Sequence, residues 1–128
     1  MKALFFVFFT SVLFSTTNVR ADDSVAIKGL IGEIDAAARK DKARMLRILI
    51  INTDVGGPTL EKEKSQTGFS FGEVYVAHSI ALAAHKSFNQ VAASKAAGLS
   101  WGKVAQVHQV SLRGSAAAIK EMMRKKKE

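Results

Sequence analysis

The sequence predicts an all-α protein: a compact bundle of five or six short helices, with a helix-turn-helix-like pair, after an N-terminal signal peptide. Three observations carry this reading. First, serine, aromatic, two variable residues and valine recur as Ser70-Phe71-Gly72-Glu73-Val74, Ser87-Phe88-Asn89-Gln90-Val91 and Ser100-Trp101-Gly102-Lys103-Val104. Second, apolar residues elsewhere step by three and four, the period of a helix with one buried face. Third, no two segments offer the paired alternating runs that a sheet requires.

The segment MKALFFVFFTSVLFSTTNVRA reads as a secretory signal peptide, with Lys2 before an apolar run over residues 3–14 and small residues at Val19 and Ala21. As a helix that run is about 18 Å long, well short of the ~30 Å needed to cross a membrane. Cleavage after Ala21 leaves residues 22–128 as one helical domain with a basic tail over 124–128 and no transmembrane span, and places the protein in the periplasm or the medium. The chain has no cysteine, which excludes disulfides, thiolate metal ligands, a cysteine nucleophile and a lipid acceptor. Its formal charge of +8 favours anionic partners without choosing among them. For an exported protein, nucleic acid is the least available of these.

Along the rest of the chain, Ile27, Leu30, Ile31, Ile34, Ala37 and Ala38 define an amphipathic helix capped by Asp23 or Ser24. The next stretch, DKARMLRILIIN, suits a buried strand or a buried helix, since six of the seven residues 45–51 are apolar. Helix is favoured because a lone strand has nothing to pair with. TDVGGPT, with the only proline, is a loop. Thr59 is then expected to cap the charged helix LEKEKSQ, which Gly68 ends.

The three serine starts come next. A serine at the cap accepts a hydrogen bond from the N–H three residues on, and Glu73 or Gln90 there reaches back to complete a capping box. Lys103 cannot. Phe71 and Val74, Phe88 and Val91, and Trp101 and Val104 share a face that enters the core. The predicted helices span about 71–86, 88–97 and 101–110. A last helix over residues 115–125 uses Ala118, Ile119, Met122 and Met123 as its apolar face.

Several chemical readings compete with this one. GFSFG matches Gly-x-Ser-x-Gly by letter, but a nucleophile elbow needs a strand before the serine, whereas a charged helix precedes Ser70. His78 and His85, seven residues apart, stand about 10.5 Å apart along a helix axis, too far to chelate one ion. No catalytic residue, metal site or cofactor is expected. The segment NQVAASKAAGLSWGKVAQ has the spacing of a helix-turn-helix, with Gly98 and Leu99 at the turn. Ser94 replaces the small alanine of that motif, and Lys103 is the sole cation of WGKVAQVHQV. Arg39, Lys40, Lys42, Arg44 and Arg47, with Arg124, Lys125, Lys126 and Lys127, read as solvated helix faces or as anion-binding patches.

Residues 48–110, through G-F-S-F-G-E-V-Y-V-A, K-S-F-N-Q-V and G-L-S-W-G-K-V-A, resemble a group of small exported bacterial proteins of unknown function with recurring Gly-x-Ser-aromatic-Gly helix starts. The resemblance covers about half the chain and implies export and an all-helical fold. It brings no activity, cofactor or catalytic residue. The expected function is an exported binding or structural module of the bacterial envelope, partnered by a protein or an anionic envelope surface. The alternative is an exported nucleic-acid binder using the helix-turn-helix-like pair and the basic tail.

Overall fold

The computed structural model describes residues 23–125; the expected signal peptide with its cleavage point, and Lys126 and Lys127 of the tail, lie outside them. The described residues form helices and no strands: α1 (Asp23–Lys40), α2 (Lys42–Thr53), α3 (Gly57–Thr67), α4 (Phe71–Ala84), α5 (Phe88–Ala96), α6 (Trp101–Val107) and α7 (Arg113–Arg124). That is seven rather than five or six. With DKARMLRILIIN helical, each segment read along the chain forms a helix of its own. Asp41 leaves the helical conformation and its carboxylate accepts the Arg44 N–H, so α2 starts afresh directly after α1.

The element boundaries depart from expectation at six places. Asp23 and Ser24 both lie inside α1, so neither stands outside it as its cap. Thr59 does not cap α3: Gly56 holds that position and Pro58 sits in the first turn. Proline has no N–H to lose there and its fixed φ suits the first turn, which draws the start back to Gly57. Helix α4 stops at Ala84, not residue 86, because His85 is left-handed at φ 59° and the Lys86 N–H turns back to the Ala81 carbonyl. Helix α5 stops at Ala96, one residue early. Gln109, at φ 58°, ends α6 early in the same way as His85 ends α4, with the Val110 N–H bonded to the Ala105 carbonyl. Helix α7 begins at Arg113, before Ser115, with no side-chain cap.

Helix α4 is the centre. Four consecutive residues, Val74, Tyr75, Val76 and Ala77, are buried, which is possible only when neighbours cover every side of the helix. Helices α1, α2, α3 and α5 supply that cover, while α1 also packs on α6 and α7 lies against α2. Residues 45–51 are helical: α2 buries Met45, Ile48 and Leu49 and leaves Ile51 at the surface. No helix among the described residues is long and apolar enough to cross a membrane.

The serine starts meet around Phe69. Its ring lies edge-on to Phe88 at 6.3 Å and to Trp101 at 5.3 Å between centroids, the favoured aromatic geometry. Glu73 joins two of the starts. One carboxylate oxygen accepts the Ser70 N–H at 3.0 Å and the other accepts Trp101 Nε1–H at 2.9 Å.

The glycines of the first and third starts have a tertiary cause that the sequence reading treats as variable. A Cβ on Gly72 would sit 2.6 Å from the Ile31 carbonyl oxygen, and one on Gly102 would sit 2.7 Å from Ser24 Cα. Helix α1 therefore passes against the N-terminal turns of both α4 and α6 too closely for any side chain. Asp35 exploits the approach by accepting the Gly72 N–H at 2.8 Å, placing a carboxylate at the positive end of α4. Asn89 occupies the equivalent position in the second start and is exposed.

Candidate functional site

Ser70, Ser87 and Ser100 stand at the N-caps of α4, α5 and α6, and their hydroxyls accept from the N–H groups of Glu73, Gln90 and Lys103 at 3.2, 3.1 and 3.1 Å. Both boxes close, through Glu73 and Gln90; the Ser100 start lacks the return bond. Ser70 follows α3 and the left-handed Gly68, not a strand. Its oxygen is engaged by its own helix, which leaves the GFSFG fragment without the geometry of a nucleophile elbow. Phe71, Val74, Val91, Trp101 and Val104 are buried and Phe88 half-buried. Lys42 and Lys64 lie over the Phe71 ring, and Lys95 lies over Trp101.

The three histidines are separate. His78 Nε2 lies 2.6 Å from Glu63 Oε1, and its ring stacks on Phe88 at 4.7 Å. A carboxylate only accepts, so Nε2 carries the proton of that bond. His85 occupies the C-cap of α4, and His108 Nε2 lies 3.2 Å from Ser94 Oγ. No group of three or more His, Asp or Glu side chains that could hold a metal ion occurs among the described residues.

The basic candidates divide. Lys40, Arg44 and Arg47 come together at the corner between α1 and α2, where with Asp41, Ala36 and Met123 of α7 they line an open groove of about 820 Å³. One arm of the Arg44 guanidinium is committed to α7. Its Nη2 donates to the carbonyls of Met122 at 3.4 Å and of Met123 and Lys125 at 3.1 Å, so it caps the carbonyl end of α7 and complements that helix dipole. Lys42 faces elsewhere, toward Glu61 at 3.2 Å, and Arg124 pairs with Glu121 at 2.6 Å. Both pairs are exposed and contribute little to stability. Arg39, Lys40 and Arg47 are exposed and make no ion pair among the described residues. Arg39 and Lys40 occupy the last turn of α1, where cations offset the helix dipole.

Two features of the site were not visible in the chain. Arg44 looks like any other cation of its segment, and its partners are backbone carbonyls about eighty residues away. Met123 reads as a core residue but also forms one wall of the groove. Tyr75 drew no attention either. Burial pushes its phenol above the usual tyrosine range, with Ser79 and Ser115 pulling partly back, and its hydroxyl donates to the Ser115 carbonyl at 3.1 Å.

Helices α5 and α6 pack on each other with Leu99 half-buried at their turn. Helix α6 buries Trp101, Gly102, Val104 and Ala105, so its outer side offers Lys103, Gln106 and Val107. Comparison of the chain with protein-family models, with curated proteins and with solved structures finds no match.

Proposed function

We propose that this protein is an exported helical binding module of the bacterial envelope, and that the groove between α1, α2 and α7 is where it meets an anionic envelope surface. The observation that carries the reading is the pair Lys40 and Arg47. Both are exposed on the walls of an 820 Å³ groove and neither has a counter-ion among the described residues. Arg44, on the same groove, also fixes the end of α7 through its Nη2. Export rests on the leader-like residues 1–21, and mass spectrometry of periplasmic protein should find a chain beginning at Asp22.

Sedimentation with vesicles tests the binding reading. The protein should bind vesicles rich in anionic phospholipid, ignore neutral ones, and dissociate as salt rises. Each cation near an anionic surface contributes about 1 kcal/mol, so Lys40→Ala with Arg47→Ala should weaken binding about thirtyfold. Unchanged binding by a folded double variant removes the groove from the account. A nucleic-acid binder would instead prefer DNA or RNA to vesicles and lose affinity on substitution of Lys103 and the tail.

A further inference from the structure

A second concavity lies on the molecule, between the C-terminal part of α2, the middle of α4 and the start of α7. It encloses about 290 Å³, and Asn52, Tyr75, His78, Ser79 and Ser115 line it together with the apolar wall of Leu82. Its chemistry differs from that of the basic groove. No Lys, Arg, Asp or Glu lines it, so a charged ligand would leave water for a place without a counter-charge.

The polar groups there are already held in place. Asn52 donates its amide hydrogens to the Ile48 carbonyl at 2.8 Å and the Met122 sulfur at 3.2 Å, which leaves Oδ1 as the acceptor to spare. Glu63 occupies His78 Nε2, so Nδ1 is the ring nitrogen left for a ligand. Phe88 stacks on the same ring and fixes its plane. Tyr75 is tied to the Ser115 carbonyl, which joins α4 to α7 across the floor. Serine hydroxyls and the Tyr75 phenol oxygen, whose own proton is spent on Ser115, thus share one small space with the acceptor atoms of Asn52 and His78.

We infer that this pocket binds a neutral polyhydroxylated molecule of monosaccharide size. A polyol presents donors and acceptors on neighbouring atoms, as the lining requires, and the C–H face of a sugar ring suits Leu82. At about 30 Å³ per water the space displaces about ten waters, which suits one ring and not two. It falls at the small end of ligand pockets.

The test is a ¹⁵N-NMR titration of the folded protein with glucose, galactose, N-acetylglucosamine, glucosamine and glucuronate. At least one neutral sugar should produce saturable shifts at Asn52, Ser79 and Ser115 in the millimolar range, with the cationic and anionic sugars much weaker. Ser79→Ala, which removes one hydroxyl and its bond to the Tyr75 phenol, should weaken binding about fivefold with the fold intact by circular dichroism. Ala118→Phe, at the exposed rim, should block it with the fold intact by circular dichroism. Absence of saturable shifts with every neutral sugar, shifts confined to other residues, equal binding of glucuronate, or full binding by Ala118→Phe would each overturn the inference.

Discussion

The Ser70 and Ser87 starts carry the same capping box, with hydroxyl bonds of 3.2 and 3.1 Å and return bonds of 3.0 and 2.9 Å, yet they occupy different places in the molecule. At the first, Gly72 touches the backbone of α1, Asp35 takes its N–H, and Glu73 reaches across to Trp101. At the second, Asn89 and Gln90 face solvent. One local device thus serves two purposes. The box begins a helix wherever its four residues occur, whereas the glycine and the carboxylate that follow Ser70 fasten that helix to two others. The Ser100 start resembles the first in its glycine and the second in its exposed cap.

The largest effect should come from the aromatic ring that the first and third starts share. Trp101 is 7 % exposed and bonded to Glu73; truncation to alanine should cost about 3–5 kcal/mol. Phe88, half-buried in the second start, should cost about half as much on the same scale. Urea melts of the two variants compare them directly, and equal losses would mean that the starts are equivalent in the core after all.

Next is the glycine. Gly72→Ala forces a methyl group against backbone atoms of Ile31, which cannot rotate away, and the clash outweighs the roughly 1 kcal/mol that alanine gains in helix propensity. The net cost should be about 2 kcal/mol, with Gly102→Ala similar because Ser24 Cα stands in the same relation to it. Asn89→Ala meets no such neighbour and should change stability by less than about 0.5 kcal/mol. A tolerated Gly72→Ala would mean that α1 sits farther from α4 than the structure places it.

These residues show where the sequence is legible and where it stops. A cap is written in four adjacent letters, so Ser70, Ser87 and Ser100 stand out in the chain, and the steps of three and four along α1 mark the face that buries Ile27, Leu30 and Ile34. The roles of Gly72 and Arg44 depend on elements about forty and eighty residues away. Nothing in the neighbouring letters distinguishes Gly72 from a helix glycine facing solvent, or Arg44 from Arg47 one turn along. The misplaced helix ends have a related cause. Asp41, His85 and Gln109 interrupt the backbone at single residues whose side chains are equally at home inside or outside a helix, whereas Pro58 starts α3 early.

The carboxylate sharpens the comparison further. Glu73 serves two N–H donors, one on each oxygen. Glu73→Gln supplies one carbonyl oxygen and turns an N–H₂ toward the other donor, so it should cost about 2 kcal/mol, in the range of hydrogen bonds to charged groups. Gln90→Ala loses a single exposed return bond at 2.9 Å and should cost about 0.5 kcal/mol. Trp101→Phe separates the two bonds of Glu73: in its background Glu73→Gln should cost about 1 kcal/mol less. Full additivity of the two substitutions would show that the bridge between the starts is energetically silent.

The caps themselves give the finest check on the comparison, through the order of their effects. Each serine satisfies one N–H of its helix, so alanine should cost about 1 kcal/mol on average. Ser70 is half-buried whereas Ser87 and Ser100 are exposed, and a freed N–H reaches water less easily where its surroundings are dry. Ser70→Ala should therefore lie above that average, and Ser87→Ala and Ser100→Ala below it. Aspartate accepts the same bond and adds negative charge at the helix start, worth about 0.5 kcal/mol at an exposed site. Ser100→Asp, beside Lys103 and with no box to disturb, should then match or slightly exceed the parent. Ser70→Asp brings its charge close to Glu73, three residues on, and should gain nothing. Midpoints of urea unfolding at unchanged slope resolve differences of this size. A larger loss at Ser87 than at Ser70 would reverse the ranking, and the second start would have to be anchored by contacts that its exposed cap does not show.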